Sequence, residues 1–386
     1  MTSTEYRMCT RCIMDTSDPN ITFDENGWCN HCRNYASLAE KHESERADRQ
    51  KALYRLVEEM KVRGEGHEYD CILGVSGGSD STYAAYVVHK LGLKPLAVHL
   101  DNGWNTELSE NNVRELVGRL GFDLYTKEVD FDQFKDLQLA FLKASVPDAE
   151  IPTDHAIWAL LYQVAKERNV PYVITGSNFA TEGITPSAWT YGIMDWRYIE
   201  RVHRLFGTGK LRDFPHLSFF TSHMVYPVIH RIQWIRILNY VTYDKASAMA
   251  LMEKELGWRP YGGKHYESIY TRFIQGYVLP RKFNIDKRKS HASALIMAGQ
   301  KSRGEALTEL EQPPLSPMML EEDMEEVLVK LGISSKEFEH IMAQPIKTHR
   351  DYPTARMLFY LRDILGRLGF GRLMRWIGVV PSECPR

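Results

Sequence analysis

Short apolar stretches alternate with helical patterns through the first half of the chain, and this alternation restricts the folds open to it. Four stretches have the length and composition of buried strands: Tyr69–Ser76, residues 95–103, Asp123–Asp130 and residues 171–178. The segments between them have the apolar spacing of amphipathic helices. Strands that are apolar on both faces need cover on both sides, and the helices supply it. The sequence therefore predicts an α/β fold with a doubly wound parallel sheet, whose ligands gather at the carboxyl ends of the strands.

A glycine-rich turn, SGGSDS at Ser76–Ser81, joins the first predicted strand to a helix. Gly77 and Gly78 let backbone amides curve around an anion, the serine hydroxyls add donors, and the following helix directs its positive end at the same point. A Walker loop would also need a lysine beside its Ser or Thr, and Tyr83 stands there instead. The pattern indicates a pyrophosphate that is bound and then leaves as a unit, with bond breaking between α- and β-phosphates.

Asp80 is an unexpected neighbour for a bound anion, because carboxylate and phosphate repel each other. A Mg²⁺ ion between them removes the conflict, since Mg²⁺ is held by carboxylates together with substrate phosphates. We therefore expect Asp80 to bind Mg²⁺ and to be a catalytic residue.

Four of the six cysteines form two CxxC pairs near the N-terminus, separated by sixteen residues: Cys9, Cys12, Cys29 and Cys32. This spacing allows two short knuckles to hold one Zn²⁺ through four thiolates, and a closed site of that kind is structural. His31 in the second knuckle is an alternative ligand. Unligated or redox-active thiols are the alternative to a metal site.

The glycine-rich turn resembles the PP-loop of the N-type ATP pyrophosphatases, which include GMP, NAD and asparagine synthetases and tRNA-modifying enzymes. Two further segments are similar: HLDNGW at His99–Trp104 and TGSNFATEG at Thr175–Gly183. The resemblance implies adenylylation of a carbonyl oxygen, attack by a nucleophile and loss of AMP. It also implies Mg²⁺ ligands at Asp80 and Glu182. The implied contacts to ATP come from Ser76, Gly77, Gly78, Ser79, Asp80, Ser81, Thr82, His99, Asp101, Thr175 and Gly176.

A longer pattern resembles the N-acetyl sugar amidotransferases of the WbpG type, which act in lipopolysaccharide O-antigen biosynthesis. Beside the glycine-rich turn it comprises the cysteine segment Met8–Cys32, residues Trp258–His291 and SRGEAL at Ser302–Leu307. This resemblance implies conversion of an acetamido group to an acetamidino group on a nucleotide sugar of the UDP-2,3-diacetamido mannuronic acid type. Ammonia would come from a separate HisH-like glutaminase, with a HisF-like subunit as a further partner.

The chemistry implied by the resemblance needs cations that screen the phosphates, and two lysines of the third segment are candidates beside Mg²⁺. Lys264 follows two glycines, and Lys287 begins the basic run Lys287–Lys289. A solvated surface run is the alternative for these last residues. His265 and Glu267 either assist proton transfer from ammonia or have a structural role.

An aromatic and basic segment, Ser187–Arg204, follows the predicted nucleotide site. Aromatic rings can stack on a uracil or sugar ring, and arginines can pair with a carboxylate or diphosphate. Packing of the rings in the protein core, or a face for the glutaminase, is the alternative. The candidate substrate-binding residues are Trp189, Tyr191, Trp196, Arg197 and Arg201.

Two other functions compete with the amidotransferase. A tRNA-modifying enzyme of the thiolation type shares the glycine-rich turn, but it needs further catalytic cysteines. A net charge of −2 also provides no broad basic face, so we expect no nucleic acid partner. A scaffold or membrane-associated adaptor is the other competitor, because the basic, apolar segment Ala355–Val380 could lie on a membrane surface. Docking of this segment on the protein or on a partner is favoured over membrane contact.

The chain has 386 residues, enough for about two to three domains. We expect a zinc-binding module at residues 1–35, a connecting helix at 36–64, an ATP-binding domain at 65–231 and a mainly helical region at 232–386 that completes the active site. No apolar run is long enough to span a bilayer, and the N-terminus has no signal-peptide pattern. The expected location is the cytoplasm.

Overall fold

Five strands form one parallel sheet at the centre of the protein, of which the computed structural model describes residues 5–365. The strands follow the order β3-β2-β1-β4-β5 across the sheet, and every neighbouring pair is parallel. This arrangement confirms the predicted α/β class. The strands are Cys71–Gly74 (β1), Pro95–Asp101 (β2), Asp123–Glu128 (β3), Tyr172–Thr175 (β4) and Gln233–Arg236 (β5).

Helices precede the sheet, connect its strands and follow its last strand. They are α1 (Asn30–Ser44), α2 (Arg46–Gly64), α3 (Ser79–Lys90), α4 (Glu107–Leu120), α5 (Phe131–Ala144), α6 (Ile151–Glu167), α7 (Phe179–Glu182), α8 (Trp196–Phe206) and α9 (Lys245–Leu256). Alternate strand residues point to opposite faces, so that in β1 Ile72 enters one core while Cys71 and Leu73 enter the other. The first core contains residues of α5, α6 and α8, and the second contains residues of α2, α3, α4 and α9.

The C-terminal region is helical, as predicted, once β5 has ended. Its helices are α10 (Ile269–Phe273), α11 (Leu279–Phe283), α12 (Lys287–Met297), α13 (Arg303–Glu311), α14 (Pro317–Leu331), α15 (Ser335–Ala343) and α16 (Arg356–Leu365). Among the described helices, none is long and apolar enough to cross a membrane. Most of the basic segment predicted as a docking or membrane element lies beyond residue 365, outside the described residues.

Two elements differ from the sequence prediction. The sheet extends into the region predicted to be helical, because β5 follows directly after position 231. This edge strand buries only Trp234 and Ile235, too few residues to give a strand pattern in the sequence. The predicted single connecting helix is two helices, α1 and α2, which meet at Glu45.

The strand order reverses at β1, which places a crevice at its carboxyl end. From β1 the chain builds β2 and β3 on one side, and then crosses over to build β4 and β5 on the other. Ile72 pairs with Val173, and Leu73 with Ile174, so β1 and β4 are neighbours. Loops that leave neighbouring strands in opposite directions open a crevice between them, and ligands of doubly wound sheets bind there.

Candidate active site

The glycine-rich loop lies between β1 and the N-terminus of α3, as predicted. Gly77 has a φ of +79°, and a Cβ at this position would lie 2.8 Å from the carbonyl oxygen of Ser109. Only glycine meets both conditions without strain. The Gly78 N–H donates to Ser76 Oγ (3.3 Å), and Ser81 Oγ donates to the Gly78 carbonyl (3.1 Å). Since α3 has no side-chain cap, its first N–H groups are available to an anion in the crevice.

Two aromatic residues of the C-terminal region hold the loop from outside. Trp258 Nε1 and the Tyr261 hydroxyl donate hydrogen bonds to the carbonyl of Gly77, at 2.8 and 2.9 Å. The loop conformation therefore depends on a segment more than 180 positions away in the chain. Neither residue could be assigned a role from the sequence, because each acts through a loop far away in the chain.

Asp80 stands in the first turn of α3, and hydroxyl groups hold both of its carboxylate oxygens. Tyr243 donates to Oδ1, and Thr181 donates to Oδ2 at 3.2 Å. Burial, together with the charge of Asp80, raises the pKa of Tyr243. Gly176 lies against the same turn, where a Cβ would be 2.6 Å from the Asp80 carbonyl oxygen. The predicted residues after β1 and β4 are thus in direct contact.

The predicted lysine and magnesium ligand meet on the C-terminal side of the crevice. Lys264 Nζ lies 3.5 Å from Glu182 Oε1. Beside them, His265 Nδ1 lies 3.6 Å from Glu267 Oε1, and the ring of His265 is 5.4 Å from that of His291. Burial would raise the pKa of Glu267, but the hydrogen bond and charge of His265 and the charge of Lys264 lower it overall. Glu267 is therefore ionised and a weak base.

Lys287 reaches this cluster from the start of α12. Its Nζ lies 3.7 Å from Glu150 Oε2, at the start of α6. Asp154, one turn further along α6, has an exposed side chain near the charged groups of Glu150 and Lys287. Desolvation by the neighbouring protein and the charge of Glu150 raise the pKa of Asp154 to about 6. Within residues 5–365, its carboxylate has no hydrogen-bond or ion-pair partner.

The other two residues of the basic run have structural contacts instead. Arg288 pairs with Asp286 and donates to the carbonyl of Gln312 (2.8 Å). Lys289 pairs with Asp15, which is fully buried in the N-terminal module. Only Lys287 of the three lies with the candidate catalytic residues.

The predicted nucleotide-binding residues on β2 have protein partners. His99 Nδ1 lies 2.9 Å from the Val75 carbonyl oxygen, and its Nε2 lies 3.0 Å from Asn105 Nδ2. Asp101 Oδ1 accepts a hydrogen bond from the Gly103 N–H at 2.9 Å. These contacts fix the turn after β2 beside the glycine-rich loop. Thr175 ends β4 on the other side of the loop.

The candidate substrate-binding aromatics pack within the protein. Trp189 is only 3% exposed. Tyr191 stacks on His349 with ring centroids 4.2 Å apart, and Trp196 stacks on His216 at 4.4 Å. These contacts correspond to the core-packing alternative, since rings already stacked on protein have no free face on that side for a sugar.

The two candidate substrate-binding arginines differ in their exposure to solvent. Arg197 is exposed on α8. Arg201 is partly buried, and its Nε has no hydrogen-bond partner among the described residues. A buried unpaired donor is costly, so Arg201 remains the better candidate of the two for an anionic ligand.

The four N-terminal cysteines form one closed cluster. All four are fully buried, and their sulfur atoms lie within 4.8 Å of one another. The Cys9–Cys32 and Cys12–Cys29 sulfur pairs are 3.8 and 3.7 Å apart. A tetrahedral zinc site with Zn–S bonds of about 2.3 Å has sulfur–sulfur edges of about 3.8 Å. The cluster therefore fits Zn²⁺, and His31 is not needed because it pairs with Asp18 at 2.7 Å.

A parallel sheet with a lysine-free glycine-rich loop at its strand-order reversal has the architecture expected of the PP-loop class. Within this class, residues 267–364 match the family described as LPS biosynthesis protein WbpG-like, C-terminal domain. The match confirms the resemblance to the WbpG type.

Other similarities are partial. The tRNA(Ile)-lysidine synthase of Thermus thermophilus is 31% identical over 106 residues, which are 27% of this chain and 20% of that protein. The tRNA(Ile)-lysidine synthase of Chlamydia pneumoniae is 37% identical over 71 residues, 17% of this chain and 22% of that protein. The chain thus spans about a fifth of the length of these curated relatives. NMN synthetase from Francisella tularensis aligns over 78% of this chain and 98% of its own, at 15% identity and a TM-score of 0.31.

Proposed function

We propose that the chain is the synthase subunit of an ATP-dependent amidotransferase. It adenylylates the acetamido oxygen of a nucleotide sugar, of the UDP-2,3-diacetamido mannuronic acid type, with release of pyrophosphate. Ammonia then adds to the imidate carbon and AMP leaves, which gives an acetamidino group. A separate HisH-like glutaminase, with a HisF-like subunit, supplies the ammonia.

One observation carries this proposal. The segment that matches the WbpG-like family contributes Glu267, Lys287 and His291 to the crevice that the glycine-rich loop occupies. A Cβ on Gly78 of the loop would lie 3.2 Å from Glu267 Oε1, and the ring of His291 lies 5.4 Å from that of His265. One cleft thus combines the glycine-rich loop with a segment that matches a sugar-modifying family. This combination supports a reaction between ATP and a sugar.

The charges of the cleft suit adenylyl transfer. Asp80 and Glu182 would hold Mg²⁺, whose positive charge would screen the phosphates when bound. Lys264 and Lys287 add positive charge on the C-terminal side, and the amides of the loop donate hydrogen bonds to the pyrophosphate as it leaves. Fixed donors and cations of this kind stabilise developing charge without reorganisation.

Addition of ammonia leaves a proton that a base must accept. An efficient base has a pKa near the working pH. The lowered pKa of Glu267 makes it a poor acceptor, and its contact with His265 holds both groups in place. Asp154 has a pKa of about 6 and a free carboxylate beside Lys287. We assign proton transfer to Asp154.

The purified chain, MgCl₂, ATP, ammonium chloride and UDP-2,3-diacetamido mannuronic acid test the proposal without any glutaminase. We expect AMP and pyrophosphate in equal amounts, and a sugar in which NH replaces one oxygen by mass spectrometry. Formation of ADP and phosphate would refute the assignment of the loop.

A PP-loop tRNA-modifying enzyme is the second candidate, since the partial similarity to tRNA(Ile)-lysidine synthases favours it. Among tRNA-modifying enzymes, those of the thiolation type need a reactive thiol. Outside the zinc cluster, the described part of the chain offers Cys71, which is fully buried in β1, where burial raises the pKa of the thiol. Salt-dependent binding of tRNA together with tRNA-stimulated AMP formation would favour this candidate over the amidotransferase.

A further inference from the structure

The zinc-binding module is joined to the active site through α1. Cys29 is the N-cap of this helix, and its sulfur accepts a hydrogen bond from the Cys32 N–H at 3.4 Å. Tyr35 follows Cys32 by three residues, so both side chains lie on the same side of the helix. The metal-binding knuckle therefore fixes the start of the helix that carries Tyr35.

Tyr35 in turn holds α7. Its ring is buried and stacks on Phe179, the first residue of α7, with centroids 4.3 Å apart. At the other end of α7, a Cβ on Gly183 would lie 2.7 Å from the Tyr35 ring. Between these two contacts, α7 carries Glu182 and Thr181, whose hydroxyl donates a hydrogen bond to the carboxylate of Asp80.

The same module also holds α12. The Ile13 N–H donates to Ser293 Oγ at 3.2 Å, and Lys289 pairs with the fully buried Asp15. Lys289 lies two residues after Lys287, the candidate catalytic residue of α12. The module thus contacts both helices that deliver charged groups to the crevice.

We propose that the zinc-binding module is a clamp that positions α7 and α12 around the nucleotide crevice, with Tyr35 and Lys289 as positioning residues. Loss of the metal, or of the Tyr35 ring, loosens α7 and lowers turnover while the glycine-rich loop stays intact. The inference rests on the proposed function only for its activity readout, because the structural effect is measured without a sugar.

Hydrogen–deuterium exchange on the full chain tests the clamp directly. Tyr35→Ala is compared with Tyr35→Phe, which keeps the ring, and with Tyr54→Ala, which removes an exposed tyrosine of α2. We expect all three to keep one zinc per chain. Residues 175–183 should exchange about tenfold faster in Tyr35→Ala alone, because a buried stacking contact is lost. In the AMP assay, its kcat should fall about tenfold with a smaller change in KM for ATP.

Lys289→Met provides a second variant if Tyr35→Ala fails to fold. It should keep its zinc and exchange faster at residues 287–297. A chelator that removes zinc but spares magnesium should give both exchange changes together. Unchanged exchange in the two variants, with zinc fully retained, would overturn the clamp. If the exchange changes are seen but the wild-type chain forms no AMP with the sugar, the proposed function fails and the clamp stands.

Discussion

Tyr243 donates a hydrogen bond to the carboxylate of Asp80, across 163 positions of the chain. Tyr243 follows β5, whereas Asp80 lies in the first turn of the helix after β1, so this contact ties the edge of the sheet to the glycine-rich loop. Thr181, after β4, holds the second carboxylate oxygen. The loop carboxylate is thus oriented before any cation or nucleotide binds, which lowers the cost of forming the site.

Asp80→Ala should abolish formation of AMP and pyrophosphate, because the proposed Mg²⁺ ligand in the loop is lost. The fold should persist, since the backbone of the loop is held by Trp258 and Tyr261. Asp123→Ala is the matched control, because Asp123 also accepts a hydrogen bond from a tyrosine, Tyr69, but at the start of β3. Activity that survives in Asp80→Ala would contradict the metal assignment.

Tyr243→Phe should keep the ring and its packing while it frees one oxygen of Asp80. Groups that orient a metal ligand typically contribute about 10- to 100-fold in metal affinity or activity. We expect the Mg²⁺ concentration for half-maximal AMP formation to rise by about tenfold or more. Tyr69→Phe, which removes the corresponding hydrogen bond to Asp123, should leave that concentration unchanged.

Cys12→Ser should release zinc and disorder the N-terminal module, since a structural zinc site contributes folding free energy directly. The measurement is zinc per chain after dialysis, with the near-UV circular dichroism of the same sample. Cys71→Ala is the control, because Cys71 lies in β1 and belongs to a different core. Full zinc content in the Cys12 variant would show that its sulfur is not a ligand.

The residues that the sequence predicted share a local signature. The glycine-rich loop and the CxxC pairs each lie within a few residues of chain. The apolar runs of β1, β2 and β4 are continuous, whereas the edge strand β3 is largely exposed. Short-range patterns of this kind follow from backbone conformation and ligand spacing, so they can be read without a structure. The parallel sheet then brings the segments after β1, β2 and β4 to one edge.

Tyr243 and Asp154 could not be predicted in this way. Each is a single residue without a motif. The role of Tyr243 depends on Asp80, which folding brings from far along the chain. The raised pKa of Asp154 depends on its desolvation in the folded protein. The aromatic segment Ser187–Arg204, in contrast, has a clear signal in the sequence, but that signal has two interpretations. Composition alone does not distinguish a ring that stacks on a ligand from one that stacks on His349 or His216.

Lys287→Met and Arg288→Met should separate catalysis from stability within one basic run. Loss of Lys287 removes a charge from the crevice, so we expect AMP formation to fall about tenfold or more with little change in Tm. Loss of Arg288 breaks its pair with Asp286 and its hydrogen bond to the Gln312 carbonyl. That variant should lose about 1–2 kcal/mol of stability and keep its activity per folded molecule. Equal effects of both substitutions on activity would count against a special role for Lys287.

Asp154→Asn should change both stability and the pH profile. The folded-state pKa of about 6 lies above the ordinary value of 3.8, so the folded wild type loses stability as the pH rises from about 4 to 6. The variant lacks this loss and should be the more stable protein above pH 6, by about 1 kcal/mol or less because the side chain is open to solvent. The two proteins should be equally stable below pH 4.

The activity of the wild-type protein should rise over the pH range in which its stability falls. At constant free ammonia, wild-type turnover should rise through pH 6 as Asp154 becomes a base, and Asp154→Asn should lose this rise. Asp132→Asn is the control, since Asp132 is an exposed carboxylate in the first turn of α5. Thermal melts and initial rates between pH 4.5 and about 8 measure both effects. If the charge of Asp154 is kept for function, the Asp154→Asn variant should be more stable but slower than the wild type. An unchanged pH profile of activity in this variant would show that Asp154 does not transfer the proton.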